Sequence, residues 1–379
     1  MNNNRLAVAT RAALLWLALC LPPPVCAAAA GQQAPAESRQ PALVDLSGVE
    51  RFLEITAILE QDRQPTPEQW DRLFATPGYA VLLAREFSRE TFVQRFSLAF
   101  MPSKAAELES QMKREAGYQA QFLPHYLRAK VMRREIEQRV AELRTQAFTD
   151  EAVAMARTWL PDAHVGGTPL VAVVVFKDDA RGYDPVVFDI LYKRDRAEFL
   201  ETVAHEFHHW YRNRLAPDLL RDHDTLWVIE QTHLEGMADL INVPSWMKRP
   251  PDTLDASQKR YLDAYARSAE IVRRMDDLFA NMHDAPARRR DLGAALMATV
   301  PQSGHPTGFF MAETIAAELG KAALVATVSN PFAFYRAYDT AARKGDRTGA
   351  PAFSDKAMAL LRELEGQYAP ETRQAGTKR

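Results

Sequence analysis

Cysteine is the scarcest residue here: two in 379, Cys20 and Cys26. Both fall within residues 1–30. From Gly31 onward there is none, so the rest of the chain can form no disulfide and offers no thiolate to a metal. Charge of one sign is also lacking. There are 47 basic and 49 acidic residues, a net charge of −2, without the basic bias that phosphate binding requires. This argues against nucleic acid as a partner. Long apolar runs are missing too: residues 12–21 form the apolar core of the N-terminus and are too short to span a bilayer. No repeat of fixed period is visible. What is present, 47% hydrophobic and 25% charged residues, is ordinary for a soluble globular chain large enough for one large or two smaller domains.

Residues 1–30 read as a signal peptide. Arg5 and Arg11 supply a positive start, residues 12–21 an apolar core, Pro22–Pro24 a break, and residues 25–30 several small-residue cleavage sites. A lipoprotein cleavage site wants a small residue before the cysteine, but Leu19 precedes Cys20 and Val25 precedes Cys26. The expectation is export to a bacterial periplasm or exterior, with no stable membrane anchor after cleavage. Residues 31–42, rich in Gln, Ala, Pro and Ser, read as a disordered spacer.

Residues 43–160 read as an N-terminal helical region: helical periodicity over 43–59, Thr66 as the cap of a helix over 67–75, a turn at 76–78, and helices over 80–100, 103–122 and 126–159, the last with a break near Thr149–Asp150. Residues 161–368 differ. Residues 170–176 are a continuous β-branched run, a buried strand. Residues 177–183 are polar with Gly182, a hairpin loop, and residues 185–192 form a second strand. Helices then alternate with turns to Tyr368, over 255–278, 287–297, 306–319, 321–328, 331–344 and 353–368. The tail, 369–379, is expected to fray. The fold class is α+β, predominantly helical, with a short sheet ahead of the first helix of the second region.

That helix carries the chemistry. Residues 201–239 read ETVAHEFHHWYRNRLAPDLLRDHDTLWVIEQTHLEGMAD. Asp195 caps the start, Glu198 completes the capping box, and Pro217 ends the run. His205, Glu206 and His209 form H-E-x-x-H. Histidines four apart lie on one helical face and can share one zinc ion at about 2.0–2.1 Å. Glu206 sits about 100° further round, free of the metal and able to serve as general base to a water. His208 points away from that face. A catalytic zinc needs a third protein ligand and one open position. Asp224 or Thr225 caps a second helix, which Pro244 stops, and Glu235 and Asp239 lie four apart on it. Glu235 fits as the third ligand and Asp239 as the carboxylate that orients a ligand histidine, His205 first. His223, Glu230 and His233 are alternatives to Glu235 but have no carboxylate one turn on. Gly236 and Ala238 allow the two helices a close approach. His305, opening a helix after a loop, is a candidate hydrogen-bond donor to a developing oxyanion, with Tyr192 and Tyr211 as others.

HEFHH followed by LEGMAD resembles the gluzincins, the thermolysin-like clan of zinc peptidases. Position 212 is Arg and position 215 is Leu, so the metzincin extension is absent. Together with HPTGFFMA, the motifs also resemble a bacterial family of inferred zinc-dependent peptidases without an assigned substrate. The resemblance covers residues 186–338. It implies a zincin-like core, Zn²⁺ as cofactor, a peptide or protein substrate, and a sheet edge before the metal helix that pairs with extended peptide. The competing reading is a non-catalytic helical binding or structural protein with a vestigial or absent metal site.

Overall fold

In the computed structural model the described residues are 44–145, 147–162, 166–193, 195–216, 223–345 and 349–368. The expected signal peptide, spacer and tail, and Pro217, lie outside them. The chain opens with a two-residue strand, β1 (Val44–Asp45), where helical periodicity alone had placed a helix. Eight helices follow: α1 (Ser47–Leu59), α2 (Pro67–Phe74), α3 (Pro77–Arg85), α4 (Arg89–Phe100), α5 (Ala105–Arg114), α6 (Phe122–Val131), α7 (Arg133–Thr145) and α8 (Thr149–Arg157). Local chemistry sets several starts. Thr66 and Gln69 form a reciprocal capping box ahead of Pro67. Ser88 caps α4, splitting the expected 80–100 helix in two. The expected 126–159 run is three helices: α8 begins at the expected break, and a second break at Met132 separates α6 from α7.

The sheet comes next, with β2 (Val171–Val174), β3 (Ala180–Arg181) and β4 (Val186–Asp189). The strand order is β1-β2-β4-β3. β2 runs parallel to both β1 and β4, and β3 pairs antiparallel with β4. The two long strands are therefore parallel neighbours rather than the arms of a hairpin. β4, buried along its length, takes the interior, and the polar two-residue β3 is left on the edge, where a charged side chain is tolerated. At the end of β4, buried Asp189 accepts hydrogen bonds from the Phe176, Lys177 and Leu191 amides and from His125. This satisfied cluster ties α6 to the sheet.

Beyond it lie α9 (Arg196–Leu215), α10 (Asp224–Trp246), α11 (Ala256–Ala266), α12 (Ser268–Asp284), α13 (Arg289–Thr299), α14 (His305–Leu319), α15 (Lys321–Val325), α16 (Pro331–Lys344) and α17 (Asp355–Tyr368). Asp195 caps α9 through the Ala197 and Glu198 amides. The Glu198 side chain turns to Arg249 instead of closing a box. His223, not Asp224 or Thr225, holds the cap position of α10. That helix passes through Pro244, which costs it one hydrogen bond in its last turn, and ends at Trp246, with the Met247 amide still bonded to Val243. Arg267 divides the expected 255–278 helix.

One crossing organises the second half. A Cβ on Gly236 would lie 2.2 Å from the Gly308 carbonyl carbon, and one on Gly308 would lie 1.9 Å from the Thr232 oxygen. The backbones of α10 and α14 thus touch. The small residue at 236 serves this contact and not, as expected, an approach to α9. Gly304, at φ +94°, caps α14 and sits against Thr232. Its left-handed conformation suits glycine and turns His305 back toward α10. On the other side, Gly182 packs on α9, where a Cβ would lie 2.4 Å from that of His209.

Candidate metal centre

α9 is buried from Thr202 to Arg212, enclosed by α8, α10 and the sheet. His205 and His209 stand one turn apart, with their Nε2 atoms 2.9 Å from each other. Glu235 of α10 brings Oε2 to 3.1 Å from His209 Nε2 and 3.4 Å from His205 Nε2. The three donor atoms expected from the sequence therefore converge.

Two nitrogen lone pairs at 2.9 Å repel unless a proton or a cation lies between them. Ligands on tetrahedral zinc with bonds of about 2.0–2.1 Å stand roughly 3.3 Å apart. The spacing and the nitrogen–nitrogen–carboxylate donor set both fit zinc. His305 joins His205 and Asp239 in a second cluster rather than the first, so among the described residues three protein donors make up the first set.

The carboxylate partners differ from expectation. Asp239 lies 3.6 Å from His205 Nδ1, too far for a hydrogen bond. Its oxygens accept instead from His305 Nδ1 at 3.0 and 3.1 Å and from the Tyr261 hydroxyl at 2.7 Å. His205 Nδ1 meets Asn242 Oδ1 at 3.3 Å. Asn242 was legible: it stands seven residues after Glu235 and shares its face of α10. Tyr261 was not, because it arrives from α11 with no motif of its own.

His305 points Nε2 at Glu235 Oε2, 3.2 Å away, its ring stacked over that of His205 and its side chain 32% exposed. The other candidates separate. The Tyr211 hydroxyl is committed to the Gly167 carbonyl at 2.9 Å. Tyr192 is driven well above the usual phenol range by burial and by the nearby Asp179 and Glu206 charges. Glu230 is paired with Arg212 at 2.9 Å, and His233 is buried against Phe334. His208 faces away from the centre and contacts the Trp159 carbonyl at 3.4 Å, and burial lowers its pKa to about 3.

Electrostatics within the centre are strong. Burial raises the Glu206 pKa, with His205 and His209 opposing. Burial alone would lower His205 and His305. For His205 the Glu235 hydrogen bond and three carboxylates outweigh it, raising the pKa to about 9. For His305, Glu235 and Asp239 outweigh it and raise the pKa to about 10. Metal-free protein at pH 7 therefore holds a proton on His205 that zinc must displace. Zinc affinity should rise about tenfold per pH unit up to about pH 9, with proton release measurable by calorimetry in buffers of different ionisation enthalpy. The sign for folding is opposite. The raised His205 pKa stabilises the metal-free fold below about pH 6.5, and that contribution disappears as pH rises through 9.

The edge strand lies beside this centre. The Asp189 amide donates to the Asp179 carbonyl at 3.1 Å, and Ala180 is the next position of the ladder. Alternation turns its own N–H and C=O outward. Both are already taken: Asp179 Oδ1 accepts from the amide at 3.0 Å, and Arg181 Nη1 donates to the carbonyl at 2.7 Å. Glu86 anchors Arg181 in turn, at 2.6 Å.

No curated protein and no solved structure matches this chain. A family model does match, over residues 70–347. That span covers α9, α10, all of α14 and most of the helices before the sheet. The chain belongs to the family described as "putative zinc dependent peptidase (DUF5700)".

Proposed function

We propose that this chain is an exported zinc-dependent peptidase with a zincin-like core. In this reading His205, His209 and Glu235 hold the metal, Glu206 is the general base and His305 is the donor to the substrate carbonyl. The observation that carries it is the approach of two imidazole nitrogens and one carboxylate oxygen to within 3.4 Å of each other, with no fourth protein donor in that set among the described residues. Zinc, when bound, supplies Lewis-acid polarisation and lowers the pKa of water toward about 7.

The chain's own groups do the rest. Glu206, buried and of raised pKa, takes the proton of the attacking water and delivers it to the leaving amine. His305 engages Asp239 through Nδ1, and its Nε2, 3.2 Å from Glu235 Oε2, turns to the oxyanion that develops as the peptide carbonyl is attacked. Asn242 and Tyr261 fix the orientations of His205 and of the Asp239–His305 pair. An extended peptide would pair with the outer edge of β3. Pairing there requires Asp179 and Arg181 to release the Ala180 backbone groups, since an added strand needs both. Residues 1–30 supply the export signal.

The test is direct. Protein as purified should contain about one zinc per chain and should hydrolyse a protein or mixed-peptide substrate. A chelator should stop the hydrolysis and added zinc should restore it. Stoichiometric zinc with no cleavage of any peptide would leave the non-catalytic reading in its place.

A further inference from the structure

A cavity of about 430 Å³ opens between α4 and α5 in the helices ahead of the sheet, lined in part by Gln94, Arg95, Gln111, Arg114, Glu115 and Gln119. Its size falls within the range of about 300–1,000 Å³ usual for small-molecule sites. Three charged side chains line it: Arg95, Glu115 and the exposed Arg114, whose Nη2 donates to Gln111 at 2.8 Å. Arg95 is 7% exposed. Its guanidinium lies 4.0 Å from the centroid of the Phe122 ring, and Nη2 donates to Gln119. Nη1 is buried and has no partner among the described residues. Glu115 accepts from Gln111 through Oε1 at 3.2 Å. Its Oε2 is also buried and without a partner. Arg95 and Glu115 therefore do not pair with each other through these atoms.

A buried cation with a spare N–H and a buried carboxylate with a spare oxygen are both costly to leave unmet. Their sharing of one cavity defines a ligand with a negative pole for Arg95 and a positive pole for Glu115. We propose that this cavity binds a small zwitterion, a free α-amino acid or a short peptide with both termini unblocked. Its carboxylate meets Arg95 Nη1, its ammonium meets Glu115 Oε2, and side-chain amides flank the space between. Such a ligand resembles a product of peptide hydrolysis, but the inference stands on the cavity and its charges alone. The segment that supplies Gln119 also supplies Tyr118, whose hydroxyl accepts from Arg181 of β3 at 3.3 Å. The cavity thus adjoins the sheet edge through one residue.

The experiment uses the full chain. Each of the twenty α-amino acids and L-alanyl-L-alanine is screened by thermal shift, and the best is titrated calorimetrically beside its N-acetylated and carboxamide forms. The expected result is one site per chain, with each blocked form bound at least about tenfold more weakly, the worth of one charge-assisted hydrogen bond. Glu115→Gln, in a partly exposed segment, should keep the fold and bind the unblocked and N-acetylated forms equally. Arg95→Gln should lose both, its folding checked by circular dichroism. Binding by no zwitterion, equal binding of the N-acetylated form to the native chain, or unchanged selectivity in Glu115→Gln would each overturn the proposal. Whether the single amino acid or the dipeptide binds more tightly identifies the source.

Discussion

Glu206→Gln should retain about one zinc per chain and lose peptide hydrolysis by about 10²–10⁴-fold in kcat/KM, the usual worth of a positioned general base. The argument is local. Glu206 is 8% exposed and sits between the two histidines in sequence but a third of a turn from their face. Its carboxylate has no place in the cluster of donor atoms. Burial raises its pKa, which makes it a stronger proton acceptor than an exposed carboxylate. Glutamine keeps the shape and cannot take a proton. The same substitution separates a catalytic from a structural role for this side chain. A raised carboxylate pKa means that the ionised form is disfavoured in the folded state, so this group weakens the fold as pH rises above its ordinary value. Glutamine carries no such charge, and urea unfolding of the metal-free variant at pH 7 should show stability equal to or above that of the native chain. Loss of activity together with a lower unfolding midpoint would point instead to a packing role for Glu206. Full activity in the variant would remove the base from the mechanism.

What the sequence showed and what it hid divide along one physical line. H-E-x-x-H and E-x-x-x-D were visible because helical periodicity places residues four apart on one face whatever the rest of the chain does. Thr66 and Asp195 were visible because caps act within three residues. α16 was delimited because Asn330–Pro331 starts it and Gly345 follows it. Contacts between distant elements were hidden. Nothing near Gly236 says that its partner is Gly308 on α14 rather than a residue of α9, since both readings ask only for a small side chain. Asp239 was assigned to a ligand histidine, His205 first, because it stands one turn after Glu235, yet its oxygens went to His305, brought by that same crossing, and to Tyr261 of α11. The strand order was hidden for a similar reason. A polar loop of seven residues reads as a turn, whereas two of its residues are the outer strand. The breaks at Ser88 and Arg267 carry neither proline nor glycine, the residues that usually mark them.

Glu235→Gln should lower zinc affinity by more than about 100-fold, beyond the 10–100-fold typical of a group that merely supports a metal ligand. Glu235 is the common partner of three imidazoles: Oε2 stands 3.1 Å from His209, 3.2 Å from His305 and 3.4 Å from His205. Its side chain is 13% exposed. Burial favours its protonation, but His305 and His209, with the hydrogen bonds from His205 and His209, prevail and hold its pKa well below the usual carboxylate range. It is therefore ionised at neutral pH and is an anionic donor without losing a proton first. A depressed carboxylate pKa contributes stability above about pH 4.5 that is lost as pH falls through the folded value. Removing the charge at pH 7 takes away the carboxylate that most raises His205 and His305, so their charged forms lose their main counter-charge. The metal-free variant should then be less stable by about 3–5 kcal/mol, the usual cost of breaking a buried ion pair. Competition with a chromogenic chelator reads the first effect and urea unfolding at pH 7 reads the second. The two readings bear on different points. If the fold weakens while zinc still binds as tightly as before, Glu235 only neutralises the histidines and another group must complete the metal's coordination. If zinc affinity falls with no loss of metal-free stability, the carboxylate acts as a ligand and its ion pairs contribute little to the fold.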